Sequence, residues 1–461
     1  MTYEEYLSTK PVRHKSNGID TQSNVAELKD WQKAVTDHAL RLGVMGMFEE
    51  CGLGKTLQQM AWSAEVAKQS RRPVFILAPL AVAPQTKREG VKFGVDINIC
   101  EMDVDIKPGI NITNYEKLSK FDTSKFAGVV LDESSILKAY MGKTKRMICE
   151  KFAKTPYKLA ATATPAPNDL MELLNHAEFL GVMKSSEALS IWFIADQSQS
   201  GRYVLKGHAE KDFWQWVASW SVCIEKPSDI GYSDEGYILP PLHEFDDVLT
   251  VSELNDDLTQ GFFRQVDLSA TGFYKERNRT TELRASRCAE IAKSSNEQYL
   301  IWCGTNQEAD ALKKRIPDAI EVRGNDKAEF KERSALDFAD GNIRVLISKP
   351  SIFGYGLNFQ NCHNDIYCGM GYYFENYYQS VRRLHRFGQQ KDVHIWRVMG
   401  STEKGILDVI SRKQRQKEQM QVGMAQHMKG FQTMALHQNS YHMNFSKSKI
   451  QYPAWIRSES A

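Results

Sequence analysis

A glycine-rich stretch between an apolar and an amphipathic segment constrains this 461-residue chain most. The stretch reads Glu49-Glu50-Cys51-Gly52-Leu53-Gly54-Lys55-Thr56 and follows the apolar segment 42–48. A strand, a glycine-rich turn and then a helix place backbone N–H groups and a helix N-terminus where they bind phosphate groups. In such a loop Lys55 reaches the β- and γ-phosphates, and the Thr56 hydroxyl is a ligand of Mg²⁺. The general pattern has glycine where Glu49 stands, so a glycine-rich turn without a ligand is the alternative.

The composition is that of an ordinary globular protein, with 42% hydrophobic and 25% charged residues. The length predicts two or three domains. A formal net charge of only +2 means that any nucleic-acid binding depends on local patches of Lys and Arg. The eight cysteines form no C-x-x-C pair, which predicts neither a zinc site nor a disulfide framework and indicates a reducing cytosol. A polar, acidic start and the lack of an apolar run of about 18 residues predict no signal peptide and no membrane partner.

Strand-like and helix-like segments alternate over residues 28–175 and again from about residue 297, which predicts an α/β protein with two units in tandem. The apolar runs 73–78 and 127–131 lack two-residue alternation, as expected for strands of a parallel sheet with both faces covered. The aromatic-rich stretch between the units predicts a mostly helical insertion whose aromatic side chains pack together. A long helix after residue 402, followed by a polar tail, ends the chain. We therefore predict domains at residues 1–175, 176–285, 286–410 and 411–461.

Asp132 and Glu133 directly follow the apolar run that ends at Leu131. Ligands of open α/β sheets bind at the carboxyl ends of parallel strands. In a nucleotide hydrolase Asp132 would hold Mg²⁺, mostly through water, and Glu133 would position and deprotonate the attacking water. A helix N-cap is the alternative for the pair alone, but the phosphate loop in the same unit favours the catalytic interpretation. The hydroxyls of Thr162 and Thr164 could relay the presence of the γ-phosphate to these carboxylates, unless they only end a strand.

Polar residues in both units complete the candidate site. The Gln32 amide can donate to and accept from an adenine edge at once, although a lone glutamine is more often solvent-exposed. Arg383 and Arg386 are three residues apart and share a helix face. Two such guanidinium groups can neutralise charge on a transferred phosphoryl group, whereas a solvated basic helix is the alternative. Small residues around Gly356 permit close approach of a backbone or a ligand.

In their order along the chain, these motifs resemble those of superfamily 2 helicases, and most of all the Snf family of DNA-translocating ATPases in its compact bacterial and phage form. The strings that carry the resemblance are Trp31-Gln32, Gly52-Leu53-Gly54-Lys55-Thr56, Asp132-Glu133-Ser134-Ser135, Thr162-Ala163-Thr164-Pro165, Gly354-Tyr355-Gly356-Leu357-Asn358 and His385-Arg386-Phe387-Gly388-Gln389. An acid in the place of the first loop glycine is usual in that family. The resemblance spans about residues 25–410 and implies two RecA-like lobes that bind ATP and Mg²⁺ between them.

The resemblance also implies a role for each matching residue. The implied roles are adenine reader for Gln32, phosphate loop for Gly52, Gly54, Lys55 and Thr56, Mg²⁺ and water residues for Asp132 and Glu133, arginine fingers for Arg383 and Arg386, and positions beside the nucleotide for Gln379 and Gly356. Pro79 and the segment 113–115 resemble parts of the family that touch the phosphate backbone of one DNA strand. The chain departs from the family at Ser134-Ser135, where Ala-His is usual, and at Arg382, where Asp or Gly is usual.

The implied function is an ATP-dependent DNA translocase or helicase motor, an ATP hydrolase with duplex DNA as preferred partner and single strands as a second one. A strand-separating DNA or RNA helicase is the nearest alternative. A non-enzymatic, ATP-gated nucleic-acid clamp or scaffold is an alternative of another class, which the Ser134-Ser135 departure keeps open. We further expect a cytoplasmic location in a bacterial or phage-infected cell. A separate protein that recruits the chain, or that carries nuclease or methyltransferase chemistry, is an expected partner.

Overall fold

Two wholly parallel β-sheets, each covered by helices on both faces, form the protein, and they confirm the α/β class with two lobes in tandem. The computed structural model describes residues 18–79, 82–139, 142–196, 203–250, 277–353, 358–371, 374–403 and 405–437. In this part of the chain no helix is long and apolar enough to cross a membrane.

The first lobe is built on a seven-stranded sheet in the order β3-β4-β2-β5-β6-β1-β9. Its strands are β1 (Val44–Glu49), β2 (Val74–Ala78), β3 (Ile97–Ile99), β4 (Ile110–Asn114), β5 (Gly128–Asp132), β6 (Tyr157–Ala161) and β9 (Ser221–Ile224). Its helices are α1 (Asp30–Leu42), α2 (Lys55–Ser70), α3 (Ala83–Lys92), α4 (Lys143–Lys151), α5 (Glu172–Leu180), α6 (Ser185–Trp192) and α7 (Glu210–Ala218). Every residue of β1 and β2 is buried because helices cover both faces. The carboxyl ends of β1 and β5 therefore meet at one edge of this sheet.

The second lobe is built on a six-stranded sheet in the order β10-β15-β14-β11-β13-β12. Its strands are β10 (Leu242–Leu249), β11 (Tyr299–Cys303), β12 (Ile320–Glu321), β13 (Val345–Ser348), β14 (Asn364–Cys368) and β15 (Val393–Gly400). Its helices are α8 (Thr281–Lys293), α9 (Asn306–Arg315), α10 (Ala328–Ala339), α11 (Pro350–Phe353) and α12 (Phe374–Leu384). The helix α12 carries Gln379 and Arg383, but it ends at Leu384, so Arg386 lies two residues beyond it. The prediction that the two arginines share one helix face is therefore wrong.

The stretch 176–285 was predicted to be a separate, mostly helical insertion, but its described part also contributes strands to both sheets. The strand β9 pairs with β1 and completes the first sheet, while β10 pairs with β15 of the second sheet. An antiparallel ribbon of β7 (Phe193–Ala195) and β8 (Tyr203–Leu205) lies between α6 and α7. The aromatic residues do pack as expected, since Trp192 stacks on Trp216 with ring centroids 4.4 Å apart. Strands of three or four residues are too short for hydrophobic periodicity to separate them from helix.

The C-terminal helix α13 (Gly405–His437) connects the two lobes. Its 33 residues span about 50 Å at 1.5 Å per residue. Near its start, Ile410 is buried in the second-lobe core, and further on Met428 is buried in the first-lobe core. With its amide suitably oriented, Gln432 donates to the Cys223 carbonyl at 3.1 Å and accepts from the Cys223 N–H at 3.2 Å. The helix thereby covers part of β9, the edge strand of the first sheet. Covering an edge strand prevents it from pairing with another chain.

A buried ionic network organises the carboxyl edge of the second sheet. The Glu308 carboxylate binds Arg277 Nε at 2.6 Å and Arg284 Nη1 at 2.7 Å, and all three side chains are buried. Arg284 also donates to the Cys368 carbonyl at the end of β14, and Glu308 accepts from the Gly304 N–H after β11. Burial alone would raise the pKa of Glu308, but the two guanidinium groups hold it below its usual value. The network fixes the chain where α8 begins.

Removing the charge of Glu308 should destabilise the second lobe strongly. Glu308→Gln removes the nearest counter-ion of two buried guanidinium groups, of which Arg284 keeps the more distant Glu403 at 3.4 Å. Breaking a buried ion pair typically costs about 3–5 kcal/mol. We expect a clear fall in the urea midpoint of this lobe, followed by hydrogen exchange of the backbone amides of β11 and β14. Asp310→Asn on the same helix is the matched control, because Asp310 pairs with Arg323 at the surface, and its midpoint should stay almost unchanged. Equal midpoints for both variants would contradict a stabilising role of the network.

Candidate nucleotide site between the lobes

The phosphate-binding loop joins β1 to α2 and has the predicted geometry. Gly52 and Gly54 adopt φ angles of 89° and 83°, which side chains disfavour. A Cβ on Gly52 would lie 3.0 Å from the Phe387 backbone nitrogen of the second lobe, so the second lobe approaches this loop closely. The Lys55 amine donates to the carbonyls of Glu49 at 2.7 Å and Glu50 at 3.1 Å. The Lys55 amine is therefore held against the loop at the first turn of α2.

Glu49, which takes the place of the first loop glycine, is fully buried below the loop. Its carboxylate accepts a hydrogen bond from the Gln58 amide at 2.7 Å. Burial raises the pKa of Glu49 to about 7, against the opposing effect of Lys55. The acid therefore acts as a structural contact to α2.

The Asp132 carboxylate faces the first turns of α2. The Gln59 amide donates to it at 2.9 Å, and Thr56 precedes Gln59 by three residues on the same helix face. Burial raises the pKa of Asp132, while Gln59 and Lys55 oppose the shift. The structure thus brings the predicted Mg²⁺ residues Thr56 and Asp132 to one side of the phosphate loop.

Glu133 accepts hydrogen bonds from both lobes. Its Oε1 atom accepts from the Thr162 hydroxyl at 2.6 Å and from the Gln379 amide of the second lobe at 3.3 Å. Burial raises the pKa of Glu133 to about 7, although Thr162 and Lys55 stabilise the charged form. Of the two threonines expected to act as a relay, the structure brings only Thr162 to the carboxylate. Within the described chain the buried Thr164 hydroxyl has no hydrogen-bond partner.

The two predicted arginines approach Glu133 and the phosphate loop from the second lobe. Arg383 donates to the side-chain oxygen of Gln379 at 3.2 Å, and Gln379 in turn contacts Glu133. The Cβ of Arg386 lies 3.5 Å from the position of a Cβ on Gly52. Burial and the neighbouring Arg383 lower the pKa of Arg386 to about 10, so Arg386 stays charged at neutral pH. Both guanidinium groups therefore add positive charge beside the phosphate loop.

Gln32 lies beside the loop but uses its amide within the protein. It is buried, donates to the Leu53 carbonyl at 2.7 Å and accepts from the Lys29 N–H at 2.9 Å. The solvent-exposed alternative is therefore wrong for this residue. Gly356 lies outside the described residues.

The predicted DNA-contact segments lie at the same sheet edge and are largely buried. The Thr113 hydroxyl donates to the Cys100 carbonyl at 2.7 Å, and the Tyr115 hydroxyl donates to the Asp132 carbonyl at 2.8 Å. Pro79 directly follows the carboxyl end of β2. The segment 113–115 is thus joined to the end of β5, at the predicted catalytic carboxylates.

Several contacts across the cleft were not found from the sequence. Glu50 accepts a hydrogen bond from the Tyr378 hydroxyl and lies 3.8 Å from Arg382, the residue that departs from the family pattern. Lys138 of the first lobe forms an ion pair with Glu375 of α12. The only signal in the sequence was the helical spacing of Glu375, Tyr378 and Arg382. Each lies about one turn from the next, close to Gln379. They dock one face of α12 on the first lobe.

A phosphate loop and a carboxylate pair on one lobe, faced by paired arginines from a second lobe, define a two-lobe nucleotide hydrolase. Comparisons with known proteins give the family. The SNF2-related domain matches residues 38–202, and the helicase conserved C-terminal domain matches residues 283–388. The chain belongs to the Snf-type superfamily 2 helicases and is a nucleic-acid-dependent ATP hydrolase, as the motifs predicted.

Individual relatives are distant. A putative protein p41 from Acyrthosiphon pisum secondary endosymbiont phage 1 is 21% identical, over 77% of this chain and 88% of that protein. The ISWI chromatin-remodeling complex ATPase ISW2 of Saccharomyces cerevisiae is 25% identical over 44% of this chain, which spans only 20% of the yeast protein. A solved structure, the Sulfolobus solfataricus SWI2/SNF2 ATPase core in complex with dsDNA, matches at 16% identity and a TM-score of 0.42. The match covers 92% of this chain and 99% of the Sulfolobus chain.

The Thr162 hydroxyl should contribute to turnover, because it donates the shortest hydrogen bond to Glu133. A hydrogen bond to a charged group typically contributes about 1.5–3 kcal/mol, so Thr162→Val should lower kcat about 10- to 100-fold. Thr164→Val removes a hydroxyl of equal size two residues away and should change kcat less than about twofold, given that this hydroxyl bonds to no group. Steady-state phosphate release measures both variants. Equal losses in the two variants would argue against a specific role of Thr162.

Proposed function

We propose that this chain is an ATP-dependent DNA translocase motor, which hydrolyses ATP between its lobes to move along duplex DNA. The contact of Gln379 with Glu133 at 3.3 Å carries the proposal. Because it joins a second-lobe amide to a first-lobe carboxylate, closing the cleft and assembling the catalytic residues are one event. Membership of the Snf-type helicases supports the dependence on nucleic acid.

The phosphate loop and Asp132 would hold ATP with Mg²⁺. In this role Gly52, Gly54 and Lys55 bind phosphate oxygens, and Thr56 and Asp132 hold the metal. These residues fit Mg²⁺, which usually binds through one or two carboxylates plus substrate phosphates and keeps several waters. Among the described residues no cluster of three or more His, Cys, Asp or Glu could hold a metal, which agrees with so sparse a site. When bound, Mg²⁺ would neutralise charge on the β- and γ-phosphates.

Glu133 would orient the attacking water and accept its proton. A pKa near 7 suits a general base at neutral pH. Thr162 and Gln379 fix the direction of the carboxylate, and Arg383 and Arg386 stabilise charge on the transferred phosphoryl group. We assign the adenine edge to Gln32, whose amide would share its donor with the Leu53 carbonyl of the loop and its acceptor with the Lys29 N–H. We assign close approach to the nucleotide to Gly356.

The segments at Pro79 and 113–115 would follow the phosphate backbone of one DNA strand. Contacts of this kind carry no sequence information. The Tyr115 hydroxyl on the Asp132 carbonyl supports a direct mechanical link between this segment and the catalytic turn. In this proposal residues 1–175 and 286–410 form most of the two motor lobes, and 411–461 follows the second lobe. The stretch 176–285 connects the lobes and adds β9 to the first sheet and β10 to the second. A cytoplasmic site of action in a bacterial or phage-infected cell is supported by the similarity to a phage protein.

Steady-state ATP hydrolysis tests the proposal, measured without nucleic acid and then with duplex DNA, single-stranded DNA and RNA. We expect duplex DNA to stimulate turnover most, and Glu133→Gln to abolish it, because the variant lacks the general base. Displacement of a DNA triplex strand would then show movement along the duplex. Stimulation mainly by single strands or RNA would identify a strand-separating helicase instead. ATP binding without turnover under every condition would leave an ATP-gated clamp.

Arg386 should be required for chemistry more than for ATP binding. An arginine that stabilises charge in the transition state typically contributes 10³–10⁵-fold in rate, so Arg386→Ala should lower kcat by at least about 10³-fold. The Kd for a fluorescent ATP analogue should change far less. Arg333→Ala on the exposed face of α10 is the control, and its kcat should match the parent because Arg333 is 84% exposed. A parental kcat in Arg386→Ala would remove this residue from the site.

A further inference from the structure

The catalytic turn of this chain has no histidine of its own, but a histidine from another helix contacts it. Ser134 and Ser135 stand where relatives usually have Ala-His. Ser134 is fully buried, and its hydroxyl lies 3.1 Å from Nε2 of His176, which is also fully buried. His176 belongs to α5 and lies 42 residues after Ser134 in the sequence. The imidazole therefore reaches the turn from outside it.

The hydrogen bonds of His176 define its tautomer. Its Nδ1 atom lies 3.3 Å from the Glu172 carbonyl, which can only accept, so Nδ1 carries the proton. Burial lowers the pKa of His176 to about 4, which keeps the ring neutral. The bare Nε2 must then accept, and the Ser134 hydroxyl is the donor. Donor and acceptor roles are thus fixed along the path from α5 to the catalytic turn.

The turn needs such support because its backbone is strained. Glu133 has φ 59° and ψ 58°, the left-handed conformation that non-glycine residues seldom adopt. The strained residue directly precedes Ser134. A second bond from α5, in which Asn175 donates to the Leu137 carbonyl at 2.8 Å, holds the far end of the same turn. The helix α5 therefore grips the catalytic turn at two places.

The other face of the ring contacts the strand that leads to the phosphate loop. His176 packs edge-on against Phe48 of β1, with ring centroids 5.1 Å apart at 81°. One side chain thus touches the strand before the phosphate loop and the turn that carries Glu133. The position of His176 therefore affects the distance between the phosphate loop and the Glu133 carboxylate.

From these contacts we propose that His176 is the positioning residue of the catalytic turn, and that its Nε2–Ser134 hydrogen bond sets the orientation of Glu133 for hydrolysis. The inference rests on the proposed ATPase function of this site. It assigns a role to a residue outside the motifs and explains how the turn works with serines in place of Ala-His. His176 does not touch the reacting atoms and acts through Ser134.

A pair of substitutions separates this role from a merely structural one. Gln places its side-chain oxygen near the position of Nε2 and can still accept from Ser134, whereas Asn places its amide near Nδ1 and keeps only the bond to the Glu172 carbonyl. His176→Gln should retain kcat within about threefold, and His176→Asn should lose about tenfold or more. The KM for ATP should stay within about twofold in both, because the phosphate loop is intact. Glutamine is also the better helix former of the two, so the thermal midpoints must be compared as well, and a fall in kcat that follows a fall in the midpoint would indicate a role in helix structure alone.

A double-mutant cycle gives the second readout. Ser134→Ala should lose about as much kcat as His176→Asn, and the double variant should lose no more than either single variant, because one hydrogen bond is removed in each case. Losses that multiply, or equal kcat values for the Gln and Asn variants, would overturn the proposal. Binding of a fluorescent ATP analogue and the thermal midpoint of each variant show that it is folded. Persistent turnover in Glu133→Gln would instead sink the proposed function itself, so the two failures are distinguishable.

Discussion

The desolvation of Glu133 is the constraint on which the site depends. A carboxylate enclosed by protein at the end of a parallel strand must be solvated by protein groups, since water is largely excluded. The Thr162 hydroxyl supplies one such group from the first lobe, and the Gln379 amide supplies another from the second. Both are neutral, so the carboxylate keeps a pKa near 7 instead of falling to the low value that a direct arginine contact would give. A base of this strength can take a proton and return it.

The Gln379 amide also connects Arg383 to this carboxylate. Arg383 binds the oxygen of the amide whose nitrogen faces Glu133. The amide separates a full positive charge from a full negative charge, which leaves both available to a nucleotide. The Lys138–Glu375 ion pair and the Glu50 contacts of Tyr378 and Arg382 then hold the rest of α12 against the first lobe. These partly exposed pairs set orientation more than stability.

Sequence reasoning found the groups that short motifs encode and missed those that only the fold brings together. Lys55 begins the helix after β1, and Asp132 and Glu133 stand at the carboxyl end of β5, so pattern and spacing predicted their edge of the sheet. Glu308, Arg284 and His176 sit inside helices without a motif, and nothing local shows that they are buried against polar partners. The strand β9 was missed for a different reason, because four residues that join a sheet after a long excursion leave no periodic signal.

The helix α13 limits how the lobes can move in the proposed cycle. It is anchored by Ile410 in one core and Met428 in the other, and Gly423 lets it approach Trp214 closely. A helix bound at both ends resists stretching, because each residue adds a fixed rise of 1.5 Å. Opening the cleft while both anchors stay buried must therefore be a rotation about the helix, not a separation along it. A rotation of this kind changes the contacts of α12 with Glu50 and Glu133, which are the contacts that would assemble the site in the proposed function.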